Sequence, residues 1–88
     1  MARVFVPYTM RKLTGGESVV EVPGKTLGEL IDNLETLYPG TKEQLIEDDD
    51  LIPGLAATID REVTYSGLRQ KLTDDNEIHF LAAIAGGC

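Results

Sequence analysis

Between Thr26 and Gly40 the sequence reads TLGELIDNLETLYPG, and this one stretch decides most of what the chain can become. Leu27, Leu30, Ile31, Leu34, Leu37 and Tyr38 recur at steps of three and four, which places them on one stripe of an α-helix. Thr26 and Glu29 have the spacing of a capping box: the threonine hydroxyl can accept from the Glu29 amide while the glutamate reaches back to the Thr26 amide. Pro39-Gly40 stops the helix. Gly28 is its weak point, costing up to about 1 kcal/mol against alanine in a helix interior and less in the first turn. One helix with one apolar stripe must be covered by something else. The rest of the chain is rich in strand-forming segments, so the cover is a sheet.

Arg3–Tyr8 is such a segment, with Val4, Val6 and Tyr8 on one face by alternation and Pro7 near its end or at a bulge. Gly15-Gly16 signals a turn, and Glu17–Val22 is a second strand with Val20 and Val22 inward, completing a hairpin over a loop from Met10 to Gly16. Thr41–Gln44 repeats the capping pattern and opens a short helical turn carrying Leu45 and Ile46. The four acids Glu47–Asp50 read as a solvated loop rather than a partner site. Beyond Pro53-Gly54, Leu55, Ala57 and Ile59 alternate on a strand. Asp60-Arg61-Glu62 is a tight reversal into Val63–Tyr65, Leu68 and Leu72 anchor a connector, and Asp74–Asn76 is a turn. Glu77–Ile84 is the last strand.

This order predicts an α+β fold of β-grasp type, a mixed sheet of four to five strands packed on one main helix, with the first and last strands parallel neighbours at its centre. The expected core is Val4, Val6, Val20, Val22, Leu27, Leu30, Ile31, Leu34, Ile59, Leu68, Leu72, Ile78 and Phe80. The expected organisation is one domain over residues 1–84 and a flexible tail over 85–88. Alternation leaves Phe5, His79 and Leu81 on the open face of the sheet. Phe5 and Leu81 there, with Ala83 beyond them, are candidate partner-binding residues, because exposed apolar patches mark contact sites. His79 reads as an ordinary sheet-surface residue.

Composition removes several function classes. A net charge of -7 argues against nucleic acid, since phosphate binding rests on clustered Lys and Arg. It suits a basic protein surface, or solubility alone. No apolar run approaches the roughly 20 residues of a membrane helix, and the start MARVFV has no basic leader before an apolar stretch. The single cysteine makes no internal disulfide, so the reducing cytoplasm is the expected compartment and a monomer the expected state. One Cys and one His are too few to hold a metal. They stand nine residues apart, about 30 Å along an extended chain at some 3.3 Å per residue, which is too far for a catalytic dyad. No catalytic set is expected.

The chain ends AAIAGGC, with Gly86 and Gly87 ahead of Cys88. Glycine has no Cβ, so a Gly-Gly tip can pass a narrow channel in another protein. That is useful if the reactive group is the backbone carboxyl itself. A carboxyl becomes an acyl donor only after conversion to a mixed anhydride such as an acyl-adenylate, and the activating enzyme must enclose it.

Four stretches, VFVPYTMRKLTGG, TLGELIDNLETLYPG, ATIDREV and DDNEIHFLAAIAGG, together span essentially the whole chain. In them it resembles the ubiquitin-like sulfur carriers, the family of the molybdopterin synthase small subunit and the thiamine sulfur carrier. The strand followed by R..TGG is most similar to the carrier of a cysteine-synthesis route. The resemblance implies a carrier that binds no cofactor and catalyses nothing. An E1-like adenylating enzyme would use ATP and Mg to activate the Gly87 carboxyl, and a sulfur donor would leave a Gly87 thiocarboxylate. A sulfur-transfer or cysteine-synthase-like enzyme would pass that sulfur to a small acceptor, an activated serine in the cysteine route. A JAMM-type zinc peptidase would release the amino acid.

Cys88 departs from that pattern, because Gly87 has no free carboxyl while the peptide bond to Cys88 stands. Three readings stay open: a cap removed by a JAMM-type peptidase, a cysteinyl product of the cycle, or a thiol that functions in place. The alternative class is a ubiquitin-like modifier joined through Gly87 to lysines of other proteins.

Overall fold

The computed structural model describes residues 1–64, 66–73 and 75–82. Residues 83–88, with Ala83, Gly86, Gly87, Cys88 and the expected tail, lie outside the described residues, as do Tyr65 and Asp74.

The helix α1 runs over Leu27–Leu37. Thr26 caps it, its hydroxyl accepting from the Glu29 amide at 3.2 Å. Leu27, Leu30, Ile31 and Leu34 are buried and Tyr38 packs half-buried against the core, but Leu37, where the helix stops, is 53% exposed. The Glu35 carboxylate explains the stop. It accepts the amides of Gly40 at 3.1 Å and Lys42 at 2.9 Å, folding the chain back over the helix end before Leu37 is covered. Those two amides hold the Glu35 carboxyl below its usual pKa. The expected cap at Thr41 is not made. Its buried hydroxyl donates to the Tyr38 carbonyl at 2.9 Å, and Lys42–Gln44 form a 3-10 turn.

The strands are β1 (Ala2–Phe5), β2 (Val19–Val22), β3 (Ile46–Glu47), β4 (Asp50–Leu51), β5 (Leu55–Ile59), β6 (Glu62–Val63) and β7 (Glu77–Ala82). Five form one mixed sheet in the order β2-β1-β7-β5-β6. β1 and β7 are its parallel pair, and the β2–β1, β5–β7 and β5–β6 pairs are antiparallel. This is the β-grasp order, with the first and last strands adjacent. One face packs on α1 through Val4, Val20, Val22, Ala57, Ile78 and Phe80. Ala2, Met10, Leu45 and Ala57 extend the core beyond the expected set, while Ile59, Leu68 and Leu72 are half-buried at its margin.

Two local readings change. Tyr8 does not share a face with Val4 and Val6. The chain turns at Pro7 into a 3-10 turn over Tyr8–Met10, which buries Met10 and leaves Tyr8 82% exposed. The acidic run is exposed to solvent as expected, but it forms a small hairpin. Glu47 and Asp50 belong to the two-residue strands β3 and β4, joined by Asp48 and Asp49 at φ 52° and 62°. Aspartate tolerates that left-handed conformation better than most residues. Gly24 does more than end β2: a Cβ there would lie 2.7 Å from the backbone of Leu30, so its absence lets the chain cross close to α1.

Candidate functional site

The open face of the sheet is built by register. Phe5 pairs with Val19 on one side and His79 on the other, His79 pairs with Thr58, and Thr58 with Val63. These five residues form one row across all five strands. Phe5 and His79 stack, their rings 4.2 Å apart and 11° from parallel. Sequence reasoning treated His79 as an ordinary surface residue, but here it is half-buried and continues the aromatic surface of Phe5. Val19 and Val63 end the row as exposed apolar side chains.

On one side of the row, Leu81 pairs with Ala56 and is 51% exposed. On the other side the face turns polar. Arg3 and Glu77 form an ion pair at 3.2 Å, with Glu21 paired to Arg3. Among the described residues, the apolar patch is therefore bounded by charge at the end where β7 begins and reaches Leu81 at the end where β7 finishes. Phe5 and Leu81, both named from the sequence, are brought together here. Ala83 lies outside the described residues. Val19, Val63 and Ala56 join them. Val19 and Ala56 follow from the alternation of β2 and β5, whereas Val63 depends on the reversal before it.

β7 is held firmly because both edges are paired, by β1 and by β5, as far as Ala82 opposite Leu55. Its start is fixed by Asp60, which sits at φ 51° in the reversal between β5 and β6. The Asp60 carboxylate accepts the Glu77 amide at 2.8 Å and the Asn76 side-chain amide at 2.6 Å. Those two donors, the Glu77 amide first, hold the Asp60 carboxyl below its usual range. The final residues, Gly86-Gly87 included, thus continue from a strand anchored at its far end and flanked by an apolar face. Among the described residues no group of three or more His, Cys, Asp or Glu side chains could hold a metal ion.

Known proteins share this fold. The sulfur carrier protein CysO of Mycobacterium tuberculosis (strain ATCC 25618 / H37Rv) is 35% identical over 91 residues, covering 96% of both chains. The structure of the Amycolatopsis orientalis BexX/CysO complex contains a chain that superposes with a TM-score of 0.91 at 31% identity, covering 99% of this chain and 100% of that one. The crystal structure of Mycobacterium tuberculosis CysO superposes at 0.88 with 28% identity, covering 96% and 100%. The small archaeal modifier protein 1 of Methanosarcina acetivorans shares the fold at a TM-score of 0.79 and 22% identity, covering 98% and 95%. The profile of the ThiS family matches residues 4–87, from Val4 within β1 to the second glycine of the terminal pair. With that match across nearly its whole length and the ubiquitin-like β-grasp sheet beneath it, the chain belongs to the ThiS family.

Proposed function

We propose that this protein is a sulfur carrier for cysteine biosynthesis or a closely related sulfur metabolite. The Gly87 carboxyl is adenylated by an E1-like enzyme with ATP and Mg, and attack by a sulfur donor expels AMP and leaves a thiocarboxylate. The observation that carries the reading is the placement of β7. A doubly paired central strand carries an apolar face beside it and leads in sequence to Gly86-Gly87. The sheet is the handle that an enzyme grips, and a tip without side chains is what it encloses. The likeness to CysO along nearly the full chain supports sulfur as the cargo.

In this reading Cys88 is removed first, by a JAMM-type peptidase, because an amide cannot be adenylated. The sulfur then passes to an acceptor held by a cysteine-synthase-like enzyme. The carrier supplies no catalytic group and works in the cytoplasm as a monomer. Phe5 and Leu81, with Ala83, form the docking face.

ATP–pyrophosphate exchange by the cognate adenylating enzyme tests this. A chain ending at Gly87 should support exchange. The full-length chain and a chain lacking Gly86 and Gly87 should not, while keeping a wild-type circular dichroism spectrum. Exchange by the chain without its glycines would reject the proposal. Gly-Gly-dependent conjugates of high mass, with no thiocarboxylate, would instead favour the protein-modifier reading.

A further inference from the structure

Parallel pairing runs from Arg3 opposite Glu77 to Phe5 opposite His79, so the chain leaves β1 at the same end of the sheet as Leu81 and Ala82, the last residues of β7. The loop that follows β1 therefore starts at the end of the sheet where β7 finishes, and it is a built structure. Buried Met10 pins it from beneath, the Thr14 hydroxyl donates to the Glu17 carbonyl at 2.9 Å, and the Gly16 amide donates to the Arg11 carbonyl at 2.7 Å. Gly15 and Gly16, at φ 66° and 89°, make the turn and leave open space where a Cβ would stand.

On this base Arg11 is held from two sides. Its guanidinium carbon lies 5.7 Å from the centre of the Tyr8 ring, and its Nε donates to the Val6 carbonyl at 3.3 Å. The two terminal nitrogens of the guanidinium have no acceptor among the described residues, and neither Arg11 nor Lys12 is in an ion pair there. Tyr8, Arg11, Lys12, Gly15 and Gly16 line one shallow concavity of about 410 Å³. Arg11-Lys12 is the one pair of adjacent basic residues in a chain whose net charge is -7.

A guanidinium oriented over an aromatic ring, with its forked end open, suits bidentate capture of a carboxylate. The five residue steps from Ala82 to Gly87 span at most about 17 Å, so whatever meets this corner lies at the mouth of the channel that takes the tail, not at its nucleotide. We propose that the Tyr8–Arg11–Lys12 corner is a second docking point, which takes an acidic segment at the rim of the tail channel in the adenylating enzyme. This rests on the reading of Gly87 as the adenylated residue. The apolar face holds the carrier, and the cationic corner steers and orients it, a role whose mark is sensitivity to salt.

The test uses a carrier ending at Gly87 and the cognate adenylating enzyme, with KM and kcat for pyrophosphate exchange measured across a sodium chloride series. Arg11→Glu/Lys12→Glu should raise KM for the carrier about tenfold at low salt and flatten its salt dependence, with the loss in KM rather than kcat. Lys12→Glu alone, at an exposed position, should show part of the effect and guards against a folding defect in the double variant. Replacing the facing acid of the enzyme by lysine should restore the double variant. Equal KM values for wild type and both variants at every salt concentration would overturn the second docking point alone. A wild-type carrier that is never adenylated would overturn it together with the reading of the tail.

Discussion

Phe80 and Leu81 are adjacent on β7 but face opposite sides of the sheet, so truncating each should fail in a different assay. Phe80 is 5% exposed and packs in the core. Cutting it to alanine removes buried surface and leaves a cavity, a change that costs about 3–5 kcal/mol. Against a typical domain stability of about 5–15 kcal/mol, that is a large shift in the urea midpoint. Leu81 is 51% exposed. Burying a leucine completely is worth about 1.5–3 kcal/mol, and the fold already covers half of this one, so about 1 kcal/mol is left for a partner to gain. Since 1.4 kcal/mol is tenfold in affinity, Leu81→Ala should weaken binding to the adenylating enzyme about fivefold. The site opens to water, so truncation leaves no cavity and stability changes by about 1 kcal/mol or less. Urea titration followed by circular dichroism gives the first quantity, and calorimetric titration with the enzyme the second. Leu81→Arg should weaken docking further without unfolding the protein. A Leu81→Ala stability loss as large as that of Phe80→Ala would refute its placement on the open face. An unchanged dissociation constant would refute that face as the docking surface.

Other outcomes follow from the same geometry. Gly24→Ala should destabilise by about 1–3 kcal/mol, because the new Cβ meets the Leu30 backbone, which cannot swing aside as a side chain would; a urea midpoint unchanged from wild type would contradict this. Thr26→Ala should cost about 1 kcal/mol through loss of the α1 cap, read from the same titration. The Asp60 carboxyl is held below its ordinary value, so its contribution to stability is present above the unfolded pKa near 4 and is lost as pH falls through the depressed folded value. Asp60→Asn should therefore flatten the acid limb of the stability profile, and an unaltered slope below pH 4 would show that the carboxylate is not so held.

The elements with strong periods were legible in the sequence. The α1 stripe, its Thr26 cap and the alternation of β1, β2, β5 and β7 led to the helix, the central parallel pair and ten of the fourteen buried core residues, because burial on one face forces those patterns. Residues whose placement depends on contacts distant in sequence were not legible. Alternation puts Phe5 and His79 on the same face, but their stacking follows from the parallel register, which no local pattern specifies. Gly24 reads as a turn residue until α1 is seen crossing it. Pro7 marked the end of β1, yet the 3-10 turn that lifts Tyr8 out of the sheet follows from the burial of Met10, a long-range effect. The β3–β4 hairpin was hidden by two-residue strands and four consecutive acids: composition gave their exposure to solvent but not the turn geometry that pairs Glu47 with Asp50.

The most direct test is the intact mass of the protein isolated from its own cells while they are making sulfur metabolites. A chain ending at Gly87 should be present, accompanied by a species heavier than it by the difference between a sulfur and an oxygen atom. A spectrum holding only the 88-residue chain, with neither of those species, would contradict the claim that the Gly87 carboxyl carries the sulfur.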